Sequence, residues 1–315
     1  MARVRTVLGD IDAASLGPVD AHEHLFQVSP LLPGDELDDP ERSEAEASAL
    51  RGSGFAAMLD ATPIGLGRRP EDAAAISAAT GLAVVASTGL HREAHYPAGH
   101  PLRELDVGAR AERFIADLRD GMPVRDEVGA RAARHDGAPV RAGVVKTGIG
   151  YWSISAFERA TLEAAAIAHA ATGAALVVHL EHGTAAHEVL DLLERAGVGA
   201  ARVLLAHADR LLDPGFHASL IERGATLGYD GMARWREHSD HELLELTAAV
   251  VDSGHDRIAL GGDVARASRY IAYGGMPGLA YLGDRYVPRL RERVGDEVVE
   301  RMLVDHPRAL LALPA

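Results

Sequence analysis

Residues Ala175–Gly183 read ALVVHLEHG. A short apolar run with two β-branched residues ends in His179. Before it lies Phe157–Gly173, FERATLEAAAIAHAATG, and after it Ala185–Gly197, AAHEVLDLLERAG. Both flanks repeat Ala, Leu, Glu and Arg with helical period. Gly173 and Gly197 stand just past the ends of these stretches, where a helix commonly stops. A short run without polar alternation, set between two helices, reads as a strand of a parallel sheet, because crossover helices cover both faces of such a sheet.

The same unit recurs along the chain. The further candidate strands are GPVDAHEHL (17–25), GFAAMLDAT (54–62), LAVVASTGL (82–90), RAGVVKTGI (141–149), VLLAHADR (203–210), ATLGYDG (225–231) and IALGGDVAR (258–266). Helical stretches lie between them, such as Pro70–Thr80, PEDAAAISAAT, with Pro70 at a first helical position. Eight strand–helix units predict a closed (β/α)8 TIM barrel, a single domain over residues 1–315. An open doubly wound sheet would call for a glycine-rich phosphate turn, and no GxGxxG follows the first strand. No internal repeat beyond this alternation and no linker is evident. Ser29–Gly52 is polar and acidic and is expected to cover one barrel mouth as a loop and helix. Gly274–Pro288 follows the last strand and is expected on the same face as the strand ends.

Bulk composition agrees. At 315 residues the chain is long for an ordinary core and usual for a barrel, and 47% of it is apolar. Aromatics are few, so helix packing must rest on small and branched aliphatic side chains. A formal charge of −14 argues against binding a nucleic acid backbone, which takes clustered Lys and Arg. With no cysteine, disulfides and thiolate metal sites are excluded, and a reducing compartment is compatible. The start MARVRTVLGD lacks an apolar core for a secretory signal. No run approaches the roughly 20 apolar residues that span a bilayer. A cytoplasmic protein with no membrane partner is the expectation.

The polar residues at the strand ends carry the chemistry. In a strand, residues i and i+2 share a face, so His22 and His24 project together and Glu23 away. Two imidazoles at this spacing can grip a divalent ion, although a surface pair or a hydrogen-bonded core pair satisfies the motif equally well. Four later runs add to it: Lys146 ends VVK, His179 ends LVVH, His207 ends VLLAH, and Asp263 follows IALGG. In a parallel barrel these ends converge on one face. A buried lysine or carboxylate without a partner costs several kcal/mol or shifts its pKa. Six residues at five strand ends, all metal-ligand types or a buried amine, therefore read as one metal site.

With those residues in view, the sequence resembles the phosphotriesterase-like family of the amidohydrolase superfamily. Its opening Thr6–Phe26, TVLGDIDAASLGPVDAHEHLF, is similar to the family's N-terminal signature, and the order HxH, Lys, His, His, Asp matches along nearly the whole chain. The resemblance implies two divalent metals at the barrel mouth, commonly zinc, while the N/O donor set suits manganese, cobalt and iron as well. It implies His22, His24 and Asp263 as ligands of the more buried ion and His179 and His207 as ligands of the more exposed one. It implies Lys146 carboxylated by CO2 as the bridging ligand. It further implies a bridging hydroxide as nucleophile, Asp263 as its proton acceptor, and a homodimer.

The substrate is a matter for the loops. A binuclear hydrolase of a lactone or carboxylic ester is the leading reading; a phosphotriesterase acting on organophosphates is the alternative within the class, and an inert metal-binding barrel the alternative outside it. Acyl-homoserine lactonases of the family carry a tyrosine just after the third strand, where this chain has His91. The stretch Ser87–His100, STGLHREAHYPAGH, offers His91 and Tyr96 as polar contacts for a substrate. Arg234 and Arg236 in YDGMARWREHSD and Arg266, Arg269 and Tyr270 in GGDVARASRY are candidates for an anion pocket, because the planar guanidinium matches phosphate and carboxylate. The region AYGGMPGLAYL (272–282) resembles that of sugar-phosphate lactonases, so a phosphorylated sugar lactone is one substrate to expect. His182 is a candidate for orienting a metal ligand. His169, His187 and His306 read as packing or helix-boundary residues.

Overall fold

The computed structural model describes residues 2–127 and 129–314. Its centre is an eight-stranded parallel sheet: β1 (Val19–Glu23), β2 (Ala57–Asp60), β3 (Ala83–Gly89), β4 (Val144–Ile149), β5 (Ala175–Leu180), β6 (Val203–Ala206), β7 (Thr226–Tyr229) and β8 (Ile258–Leu260). The strands neighbour one another in sequence order. The sheet curls until its two edges meet, with the Asp263 amide donating to the His22 carbonyl at 2.9 Å. The result is a nearly closed TIM barrel, as the alternation of strands and helices predicts. Helices ring it, among them α1 (Pro40–Gly52), α2 (Pro70–Thr80), α3 (Val107–Arg119), α4 (Ala156–Thr172), α5 (Ala186–Arg195), α6 (Pro214–Glu222), α7 (Asp240–Asp252) and α8 (Val287–Val294).

Local chemistry sets the boundaries. Ser155 and Glu158 form a capping box at the start of α4, as Ser239 and Glu242 do for α7. Helices α2 and α4 end on glycines in the left-handed conformation, Gly81 and Gly173. An antiparallel hairpin, Arg3–Thr6 with Gly9–Asp12, precedes the barrel, and the Leu313 amide donates to the Arg3 carbonyl at 2.8 Å, tying the chain ends together.

Two apolar layers follow from strand periodicity. On β5, Leu176 and Val178 join the layer between strands and helices, while Ala175 and Val177 face the barrel interior with Val144, Leu204 and Ala259. Each buried Val or Leu among them contributes about 1.5–3 kcal/mol by leaving water. The interior row continues past the apolar part of each strand. After Ala175 and Val177 the next inward position is His179, and after Val144 it is Lys146. Polar chemistry is thus stacked on top of a dry plug of Val, Ala and Leu.

Ser29–Gly52 is a loop followed by α1, and Leu31 and Leu32 from it reach the barrel mouth. Only the first part of Gly274–Pro288 is loop: from Leu282 it is helical and runs into α8. Among the described residues no helix is long and apolar enough to cross a membrane.

Candidate metal centre

The strand ends deliver His22, His24, Lys146, His179, His207 and Asp263 to one place, all of them buried. A local irregularity is needed to do this. The register of β1 against β2 shifts between Asp20 and Glu23. Such a bulge re-aims side chains: Val19 and Ala21 belong to the interior layer, yet His22 and His24 also turn inward. Glu23 points away, and its Oε2 accepts from the Val264 amide at 2.9 Å. His207 and Asp263 lie one and three residues beyond their strands with φ of +63° and +45°. Non-glycine residues rarely adopt this conformation. It is held at His207 by a bond from its amide to Asp230 Oδ2 (3.2 Å) and at Asp263 by the amide bond to His22.

Each imidazole has one nitrogen committed to an oxygen. His22 Nδ1 lies 2.9 Å from Asp230 Oδ2, and His207 Nδ1 lies 2.6 Å from Asp230 Oδ1. His24 Nδ1 meets Thr62 Oγ1 at 2.8 Å, and His179 Nε2 meets Glu181 Oε2 at 2.9 Å. Partners of this kind fix the ring and leave the other nitrogen, Nε2 of His22, His24 and His207 and Nδ1 of His179, to bind metal. The His22 and His24 Nε2 atoms are 3.9 and 3.7 Å from Asp263 Oδ1. Donor atoms of His22, His207 and Asp263 all fall within 4.8 Å of one another. A cation about 2.0–2.2 Å from each nitrogen and oxygen fits such a spread.

The electrostatics suit ligands. Burial holds His22 near 4 and His179 near 3, and it pushes His207 well down, so these imidazoles are neutral near pH 7. Burial raises the Asp263 carboxyl, but the Arg234 guanidinium beside it outweighs this and holds it well below the usual range. Its Oδ2 accepts from Arg210 Nη2 at 3.1 Å and from Arg234 Nη2. Lys146 lies 3.2 Å from His22 Nε2, and burial lowers its amine to about 8.

Above these groups is a cavity of about 260 Å³. His91 and Arg266 line it; Tyr96, Arg236, Arg269 and Tyr270 do not. Tyr96 is enclosed, with its hydroxyl donating to the Ile64 carbonyl (2.9 Å) and accepting from the His91 amide (2.9 Å). The hydroxyl of Tyr270 donates to the His24 carbonyl behind the ligands. Arg236 stacks on exposed Trp235, and Arg269 donates to the Met232 carbonyl at 3.2 Å. These four are placed as supports or surface, correcting their expected place in the pocket. His182 is exposed at 57%, and the residue on His179 is its neighbour Glu181.

Sequence reasoning missed Asp230, Glu181 and Arg210, and it gave Arg234 to the anion pocket without its bond to Asp263. Asp230 ends the apolar run ATLGY just as the ligands end theirs, which was the available signal. Glu181 and Arg210 stand within two and three residues of His179 and His207.

Comparison with known proteins agrees with this geometry. The model of the phosphotriesterase family matches residues 2–311. A protein named phospho-furanose lactonase from Mycoplasmopsis synoviae is 30% identical over 98% of this chain and 91% of its own length. The crystal structure of a lactonase from Listeria monocytogenes superposes with a TM-score of 0.90 at 28% identity, covering 99% of this chain and all of the other. The phosphotriesterase homology protein of Escherichia coli, solved with phosphate in its active site, gives 0.85 at 26% identity over 96% of this chain and all of the other. The chain therefore belongs to the phosphotriesterase family and is a metal-dependent hydrolase of ester bonds.

Proposed function

We propose that this protein is a binuclear lactonase whose substrate carries an anionic group, with phosphorylated sugar lactones as the class it fits best. One observation carries the reading. Four arginines, Arg92, Arg210, Arg234 and Arg266, line the same 260 Å³ cavity as the histidines. The Arg266 side chain makes no hydrogen bond or ion pair among the described residues. Guanidinium groups clustered at a small cavity recognise phosphate or carboxylate. The names of the Mycoplasmopsis relative and the phosphate in the Escherichia coli relative support the same class.

In this reading His22, His24 and Asp263 would hold one ion and His179 and His207 the other, with carboxylated Lys146 as a ligand to both. Two bound cations supply an acidified water and a Lewis-acidic contact for the scissile carbonyl. Zinc is the first candidate, with manganese, cobalt or iron suited to the same donors. The chain's own groups do the rest. An amine near 8 is partly neutral at pH 7, so the Lys146 Nζ lone pair can add to CO2, forming the N–C bond and releasing a proton. Asp263 Oδ1 faces the His22–His24 pair and takes the proton of the attacking water. Arg210 and Arg234 hold Oδ2 and so set the carboxylate plane. Arg266 and Arg92 bind the anionic group of the substrate.

Initial rates of the metal-loaded protein on sugar lactones with and without a phosphate, on acyl-homoserine lactones and on an activated phosphotriester test the reading. A kcat/KM at least tenfold higher for the phosphorylated lactones is expected. Equal rates on neutral and phosphorylated lactones would return the arginines to a structural role, and turnover of the phosphotriester alone would replace the lactonase.

A further inference from the structure

Beside the metal cavity lies a second, more open groove of about 540 Å³, bounded by Tyr151, Trp152, Thr184 and Leu211. Arg92, Glu181, His182 and Arg210 border both spaces, so the two are adjacent. Tyr151 and Trp152 follow β4 and are 62% and 60% exposed. Adjacent aromatic side chains left this open mark a surface with a ligand more often than plain surface does.

The platform is built rather than loose. The Trp152 amide donates to Thr184 Oγ1 at 3.0 Å, and that hydroxyl donates to the Glu181 carbonyl at 2.8 Å. Gly150 and Ser153 bridge beneath the turn. Tyr151 stands edge-on to His182, with centroids 5.9 Å apart and planes at 90°. At the junction with the metal cavity, Nε of Arg92 and of Arg210 is buried and donates to no acceptor among the described residues. The nearest carboxylate oxygen to Arg210 Nε, from Glu237, is 3.8 Å away, too far for a hydrogen bond.

We propose that this groove is a subsite for a flat ring at the remote end of the substrate. The ring lies against Trp152 and Tyr151, and an anionic group nearer the scissile bond is met by Arg92 and Arg210. Aromatic faces give contact area to any flat ring; Arg92 and Arg210 also pair with Glu181 (2.9 Å) and Asp263 (3.1 Å), and each keeps an Nε donor for the anion at the junction. The inference rests on the lactonase reading for the identity of the scissile bond, but the groove's preference for a ring beside an anion does not depend on it.

The chain has two tryptophans, Trp152 and Trp235, so a Trp235→Phe variant leaves Trp152 as the sole indole reporter. Titration of that metal-loaded variant with 4-phenylbutyrate should change its fluorescence saturably, at a midpoint at least tenfold lower than for butyrate. Adding Tyr151→Ala should weaken phenylbutyrate at least fivefold and leave the butyrate midpoint within twofold. Parallel midpoints for the two carboxylates, or no saturable change with phenylbutyrate, would overturn the subsite. Phenylbutyrate binding without turnover of any lactone would sink the lactonase reading and keep the groove. Turnover of phosphorylated lactones with no Trp152 response would do the reverse.

Discussion

Asp230 is fully buried and accepts three hydrogen bonds, from His22 Nδ1 at 2.9 Å, His207 Nδ1 at 2.6 Å and the His207 amide at 3.2 Å. Replacing it with asparagine keeps the shape and halves the acceptors. The single amide oxygen should stay with His207, where the bond is shorter. The amide NH2 then faces His22 Nδ1 and favours the tautomer protonated on Nε2, the nitrogen needed for metal. Losing such a partner costs about 10- to 100-fold in metal affinity, and each factor of ten is about 1.4 kcal/mol. Asp230→Asn should therefore weaken the ion at His22 about 100-fold and the ion at His207 about tenfold. The apo-protein should stay folded. Asp209, pushed up to about 8 by burial and then by Asp230, is relieved when that charge goes. Chelator competition reads the two affinities, and urea unfolding of the apo-protein reads the fold. Retention of both ions within threefold of the parent would refute the role of Asp230.

Other outcomes follow from the same geometry. Lys146→Ala should abolish turnover while leaving the unfolding midpoint of the apo-protein within a few degrees; near-normal kcat in that variant would exclude a bridging lysine. Because the Lys146 amine sits near 8, its neutral fraction grows about tenfold per pH unit below that value. Metal loading at a fixed partial pressure of CO2, which holds dissolved CO2 constant, should accelerate accordingly from pH 6 to 8, and a flat rate would count against carboxylation. In the apo-protein His22 titrates near 4 against 6.5 for an ordinary histidine, so between these values the unfolded chain binds more protons. Stability of the apo-form should fall as pH drops from about 6.5 to about 4, which urea midpoints across that range will show or deny. Arg68 is buried against Asp117 (2.8 Å) and Asp126 (2.6 Å), and Arg68→Ala leaves these two buried carboxylates to share one partly exposed cation, Arg113. About 3–5 kcal/mol of stability should be lost with metal affinity unchanged, and a loss under 1 kcal/mol would show the pair to be dispensable.

The barrel was legible because each strand is apolar on both faces and each is followed by a helix with clear boundaries, as at Pro70 and Gly173. The gathered residues were legible because Lys146, His179 and His207 interrupt runs that otherwise belong to the core. What escaped was set by backbone details no periodicity encodes. The bulge in β1 re-aims His22, and a residue with positive φ, Ala233, precedes Arg234, which reaches Asp263, while Trp235 and Arg236 stay outside. Tyrosine is equally ambiguous: in Tyr96 and Tyr270 the hydroxyl serves a main-chain carbonyl, so a polar tip on a loop did not signal a substrate contact. Asp230 shows the opposite error: it lies at the end of the candidate strand ATLGYDG, yet its buried carboxylate was not counted with the other polar strand ends.

The seam between β8 and β1 has a consequence for how the molecule assembles. The edge contacts that shut the barrel are made by the ligand segments themselves: Asp263 on His22, and Val264 on Glu23 across 241 positions of sequence. Contacts so far apart in the chain are among the slowest to form, because a large loop must close first. The donor set is therefore incomplete until the final strand docks. A nascent or truncated chain lacking that strand offers no full site, and metal adds its binding energy only to the finished barrel. With the proposed centre, metal capture would act as a latch on folding, selecting chains that have been completed.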